Sequence, residues 1–270
     1  MQCVKPQKCG AEDDRVIYNK NIIMNAIYIL WVRQLKRFIR SKSRIFASLA
    51  QPILFLFAFG YGFGSVFAKA GAGNYMEFLA PGIIAMTIMF TAVFSGIEVI
   101  WDKQFGFLKE TMVAPVSRFN IMLGRTLGGA TVAFLQGIVV FIITLFFGFT
   151  PVLSGIIPAF VFMFLLSFLF TAFGTAIASR LDDMQGYPLV MNFIIMPLFF
   201  LSGALFPITG LPAIFGYIVK VNPLSYAIDG IRGALTGQHA FSFTTDGLVL
   251  VLITLACLWI GAWLFKKIQA

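Results

Sequence analysis

Charge is what this chain has least of. Of its 270 residues only 11% are charged, while 59% are hydrophobic. A soluble domain usually carries about a quarter charged residues. That shortage excludes a solvated domain of any size and leaves a polytopic membrane protein built as one membrane domain. Within the long apolar runs the centres hold essentially no ionisable group. Carriers driven by protons or sodium ions keep such groups deep in their spans, so that class is disfavoured. The phosphate-loop pattern GxxxxGK[ST] is absent too, which rules out nucleotide binding of that kind by this chain.

Metal ligands are equally scarce. His239 is the lone histidine and has no second ligand beside it. Cys3 and Cys9 sit in a polar stretch without the paired spacing of a zinc site, and Cys257 lies in an apolar run as packing. Asp182 and Asp183 resemble half of a magnesium-diphosphate site, but the second acidic cluster such sites need is missing. A membrane enzyme is therefore disfavoured; no catalytic, metal or cofactor-binding residue is assigned.

What the chain does have is apolar runs near the ~20 residues that cross a bilayer. Six spans are expected, at about 46–67, 78–100, 123–147, 156–178, 187–206 and 248–265. Pro81 and Pro188 fall in first turns, where proline is tolerated, whereas Pro52 and Pro197 are placed to kink their helices. The third span opens on a small-residue pair, Gly124 and Gly128, weak as a contact signal because glycine is common in membrane helices. Residues 1–23 read as a disordered polar tail, with Met24 as an alternative start, and 24–270 as the membrane domain.

Three stretches are neither span nor simple loop. In Asn25–Lys42, Ile27, Trp31, Leu35 and Phe38 make one helical face; Arg33, Lys36, Arg37 and Arg40 crowd the other. That is an amphipathic helix lying in the membrane interface with its basic face toward anionic headgroups, so membrane lipids are expected partners. Between the second and third spans, Trp101–Arg118 carries Phe105, Leu108, Met112 and Val113 at helical spacing, with charges between them, until Pro115 stops the helix. An amphipathic helix on such a loop needs a partner, and a soluble motor subunit is the expected one. Glu98, just before it, is expected to pair with Lys103 or Arg125. Before the last span, 207–246 is too apolar for a free loop and too broken for a span. Leu211–Val219 reads as one short helix. Asn222 caps a second, with Pro223 at its first position. The second helix has Leu224, Ala227, Ile228, Ile231 and Leu235 on its apolar face, Asp229 and Arg232 off it. The pair reads as a re-entrant or interfacial hairpin.

The net charge of +9 does not indicate nucleic acid, because the basic residues flank the apolar runs. With six spans and a cytoplasmic N-terminus, 17 of the 20 Lys and Arg fall inside, leaving only Lys69, Lys220 and Arg232 outside. The loop 101–118 and both termini are then cytoplasmic and the hairpin faces outward. A single subunit of this kind offers little polar lining, so a pathway between two copies, suited to an amphiphilic cargo, is expected.

Two segments carry a family resemblance. Gly106-Phe-Leu-Lys-Glu-Thr-Met-Val-Ala-Pro-Val-Ser-Arg118 resembles the coupling loop of ABC type-2 transporter permeases. Leu201-Ser-Gly-Ala-Leu-Phe-Pro207, Leu211-Pro212 and Val221-Asn-Pro-Leu-Ser-Tyr-Ala227 with Arg232 resemble that family's outer loop before the last span. The likeness runs from about Met24 to the end. Just before the loop glycine this chain departs from it, with Lys103-Gln104-Phe105 where many relatives carry an acidic-basic cluster. The resemblance implies an all-α membrane protein: six transmembrane helices, an N-terminal interfacial helix, a cytoplasmic coupling helix and an extracytoplasmic re-entrant hairpin. It implies a permease subunit of an ATP-driven exporter of the drug-resistance or nodulation-factor type, moving a drug or glycolipid. ATP and Mg would be bound by a separate ATPase. The other readings are export of a lipid-linked polysaccharide or oligosaccharide, and a non-transport anchor for a soluble partner. Carried over by position, Phe105, Gly106, Leu108, Lys109, Glu110, Met112, Pro115 and Arg118 dock the ATPase. Trp31, Arg33, Lys36, Arg37 and Arg40 belong to the interfacial helix. Gly203, Pro207, Pro212, Asn222, Pro223, Tyr226, Asp229 and Arg232 belong to the outer hairpin.

Overall fold

Apolar side chains in lipid leave the backbone no partner but itself, so long runs of them become helices. The computed structural model describes residues 11–69, 74–107, 111, 116–206 and 213–266. Among them the regular elements are all helical. In chain order these are α1 (Ala11–Arg40), α2 (Lys42–Lys69), α3 (Tyr75–Phe94), α4 (Ile97–Gln104) and α5 (Arg118–Phe146). A 3₁₀ turn (Leu153–Gly155) leads to α6 (Ile156–Ala178), then α7 (Gly186–Phe200), α8 (Ala213–Val221), α9 (Pro223–Thr236) and α10 (Phe243–Lys266).

Among the described residues, five stretches are long and apolar enough to cross a membrane: Lys42–Gly64, Tyr75–Gln104, Arg118–Phe146, Leu153–Ala178 and Phe243–Leu264. The run expected as a fifth span, 187–206, departs from this. Its helix, α7, has 15 residues, about 22 Å at the usual rise and short of the ~30 Å hydrocarbon core. The chain turns over 201–206 instead, with Gly203 at φ +78°. Ala204 and Leu205 are buried against the start of α3, where the Tyr75 hydroxyl donates to the Leu205 carbonyl at 3.1 Å.

α3 is the core of the bundle. It packs against α2, α5, α6 and α9, and Leu79, Ile83, Met86 and Met89 are fully enclosed. Asn74 caps it by accepting from the Met76 amide. The helix thus starts three residues earlier than the apolar run suggests, and Pro81 falls in its second turn, not its first. α2 and α10 lie at the edges and expose Leu54, Phe57, Leu252 and Trp259, the surface expected where the solvent is lipid.

At the N-terminus, α1 begins at Ala11, so 11–23 is helical where composition suggested a disordered tail.

Candidate coupling site at the charged end of the bundle

Close approach of α1 to α5 sets up this end. The added methyl of an alanine at Gly128 would sit 2.5 Å from Gln34 Cγ, and one at Gly124 would press on Ile27 and Leu30. The Gly124/Gly128 pair is therefore the seat of α1. The Trp31 indole donates to Thr131 Oγ1 at 3.0 Å on the same seam, and Leu30 and Gln34 are buried in it.

Seated there, α1 turns two of its arginines inward. Arg33 and Arg37 both reach Asp102 on α4, and Arg125 of α5 closes on the other Asp102 oxygen at 2.7 Å. Glu98, one turn earlier, takes Arg37 at 3.2 Å and Arg44 of α2 at 2.8 Å. Asp102 and Arg125 are each 3% exposed and Glu98 7%, so these charges are paired in a low dielectric. Two expectations change. Glu98 does not pair with Lys103 or Arg125. The basic face of α1 is only partly free for headgroups: Lys36 and Arg40 are exposed, Arg33 and Arg37 are engaged.

Lys103 points elsewhere. Its ammonium donates to the Ser179 carbonyl at 2.6 Å, satisfying the end of α6, and meets Asp182 at 3.1 Å. Asp183 accepts from the Gln185 and Gly186 amides and so starts α7. The two aspartates that suggested half a metal site are thus a clamp and a cap.

The loop begins where α4 ends. Phe105 is the C-cap of α4 and Gly106 has φ +80°, a left-handed turn that glycine adopts without strain. Phe105 therefore ends one helix instead of lying on the face of the next. Its ring stacks on Trp101 at 5.1 Å, and both are exposed. Phe107, also exposed, lies under the Arg33 guanidinium at 5.5 Å. Thr111 donates back to the Phe107 carbonyl, as on a helical turn. Leu108, Lys109, Glu110, Met112 and Pro115 lie outside the described residues. Ser117 accepts from the Asn120 amide and caps α5, whose first residue is Arg118.

Helical spacing picks out Phe105 but not Trp101 and Phe107, because the turn at Gly106 breaks the register that the spacing assumes. It also gives no sign of Asp102 as the centre of the network, because Arg33 and Arg37 lie more than 60 positions away and only the fold brings them to it.

At the other end, Asn222 caps α9 by accepting from the Leu224 amide and donates to the Leu198 carbonyl at 2.6 Å, tying α9 to α7. Pro223 stands in the first turn. The Tyr226 hydroxyl donates to the Lys220 carbonyl. Asp229 accepts from the Ala240 and Phe241 amides, and Arg232 donates to the Gly203 carbonyl at 3.0 Å while lying 4.0 Å over the Phe78 ring. Both charges are buried although they lie off the apolar face of α9. Pro207 and Pro212 lie outside the described residues.

Between α2 and α3 lies a cavity of about 260 Å³, lined by Phe38, Arg44, Ser48, Gln51, Thr87 and Phe90, among others. Its walls mix hydroxyls and an amide with aromatic rings.

A bundle of long apolar helices with Glu98 and Asp102 buried in an ion-pair network beside one interhelical loop defines a polytopic membrane protein organised around that loop. The family model described as "ABC-2 type transporter" matches residues 25–236, and the chain belongs to that family. It is similar to a putative transport permease ycf38 of Cyanophora paradoxa, 30% identical over 88% of each chain. It is also similar to the inner membrane transport permease YadH of Escherichia coli K12, 29% identical over 86% of this chain and 91% of YadH. Nodulation protein J of Rhizobium leguminosarum bv. trifolii is 30% identical over 78% of this chain and 79% of its own.

Proposed function

We propose that this chain is the membrane-spanning permease subunit of an ATP-driven exporter, moving an amphiphilic compound such as a drug or glycolipid across the cytoplasmic membrane. A separate cytoplasmic ATPase binds ATP and Mg, and two copies of the permease form the pathway. The observation that carries the reading is the anchoring of α4. The segment that leads into the loop is pinned through Glu98 and Asp102 to α1, α2 and α5, while Trp101, Phe105 and Phe107 stand exposed beyond it. A partner that grips the loop would move several helices together, as a rigid lever requires. The aromatic and hydroxyl lining of the α2–α3 cavity suits a cargo with both apolar and polar parts.

The test is reconstitution with the cognate ATPase. Replacing Leu108 and Met112 with aspartate is expected to abolish cargo-stimulated hydrolysis and transport while membrane insertion is unchanged. Transport at the normal rate by that variant would overturn the reading.

A further inference from the structure

Two of the basic side chains on α1 are consumed by carboxylates, and what remains has a shape. An open hollow of about 1020 Å³ runs along the outer face of α1 and is closed at one end by the elbow at Ser41, where α2 begins. Tyr28, Ile29 and Val32 line its far end, the carboxylate-paired Arg33 and Arg37 also line it, and Lys36, Arg40 and Lys42 stand toward the elbow with Ser41 and Ser43. Among the described residues no carboxylate lies within 4 Å of Lys36, Arg40 or Lys42. The neighbouring network cannot supply the missing anion. There, Arg33, Arg37, Arg44 and Arg125 answer only Glu98 and Asp102, so that corner already holds two positive charges in excess.

We infer that this hollow binds one lipid with an anionic phosphate headgroup, the phosphate at the elbow between Lys36, Arg40 and Lys42 and an acyl chain along Tyr28, Ile29 and Val32. Charge complementarity selects the headgroup, and the apolar far wall selects an amphiphile over free phosphate. Tyr28 and Ile29 are more than half exposed, which for an unoccupied apolar wall in water would be costly and under an acyl chain is not. The site adjoins the loop at 101–118 through Arg33, which lines the hollow and lies over Phe107, but none of the three side chains assigned to the phosphate belongs to that contact. The inference rests on the membrane placement of α1 but not on the ATPase partner.

The test uses the purified full chain in an uncharged detergent, titrated with dioctanoyl phosphatidic acid. Saturable binding is expected, with no competition from dioctanoyl phosphatidylcholine or from inorganic phosphate at the same concentration. The variant K36Q/R40Q/K42Q leaves every ion pair of Glu98 and Asp102 in place. Each basic side chain near an anionic headgroup is worth about fivefold, so this variant should weaken binding at least tenfold. The charge-preserving K36R/R40K/K42R should bind within about threefold of the parent, and R180Q/K220Q, which removes exposed charges elsewhere, should not differ. A photo-crosslinking phosphatidic acid should label within 28–43. Unchanged binding in the glutamine variant, equal loss in either control, labelling elsewhere, or competition by inorganic phosphate alone would each overturn the site. Because no ATPase is present, such a failure leaves the coupling test with Leu108 and Met112 untouched.

Discussion

Asp102 is the side chain on which the charged end turns. It meets Arg33, Arg37 and Arg125 while 3% exposed. Removing one member of such a buried set leaves the others uncompensated, at a cost of about 3–5 kcal/mol. Asp102→Ala is therefore expected to lower the thermal unfolding midpoint in detergent markedly. The pair Asp102→Leu with Arg125→Met should recover part of that loss, because an apolar pair needs no compensation. A single variant as stable as the parent would show that the network is not held as described. This centre was hard to read in the sequence for a definite reason. Glu98 and Arg37 are 61 positions apart, and Glu98 and Arg44 are 54 apart, whereas Lys103 lies within two turns. Nearness along the chain favoured the wrong partner. Only the return of α1 along α5 brings the right ones in.

That return is an element-scale property, and it rests on two small residues. Gly124 and Gly128 let the α1 backbone come close enough for Trp31 to reach Thr131. Gly128→Ala is expected to push α1 away from α5, at about 1–3 kcal/mol for overpacking a tight contact. Limited proteolysis should then cut faster at Arg37 and Arg40, with less effect on cleavage elsewhere. Unchanged protection at those two sites would mean that α1 is held by other contacts. As for legibility, the long helices were written in apolar runs, which lipid turns into helix with little choice. The α9 cap at Asn222 was equally visible, because Asn-Pro has fixed backbone consequences, whereas the turn at Gly106 was hidden by a helical spacing that continues to Pro115. The length of α7 was not visible either. Its run stays apolar through Phe206, and the break at 201–206 depends on Tyr75 and Arg232 taking the Leu205 and Gly203 carbonyls from distant helices.

At the scale of the whole molecule the helices define two ends, and they differ in charge. The α1–α2 elbow, the 101–118 loop and the α6–α7 turn gather at one end with Arg33, Arg37, Arg44, Lys103, Arg125 and Arg180. The α9 end has the exposed Lys220 and Arg232, but the Arg232 guanidinium is buried over Phe78 and bonded to backbone carbonyls, so it presents no charge to a membrane surface. The asymmetry at the lipid boundary is thus steeper than a count of residues implies, and because basic loops are retained on the cytoplasmic side, we propose that the charged end faces the cytoplasm. In a background with Cys3, Cys9 and Cys257 replaced, Phe107→Cys should resist a membrane-impermeant maleimide in intact cells and react once they are permeabilised. Gln238→Cys, exposed beyond α9, should react in intact cells. The reverse pattern would place the loop outside, where no ATP-hydrolysing partner could reach it, and the exporter reading would fail with the topology. If the pattern holds and the ATPase, added after permeabilisation, shields Phe107→Cys, then the exposed rings at the end of α4 are the surface it grips.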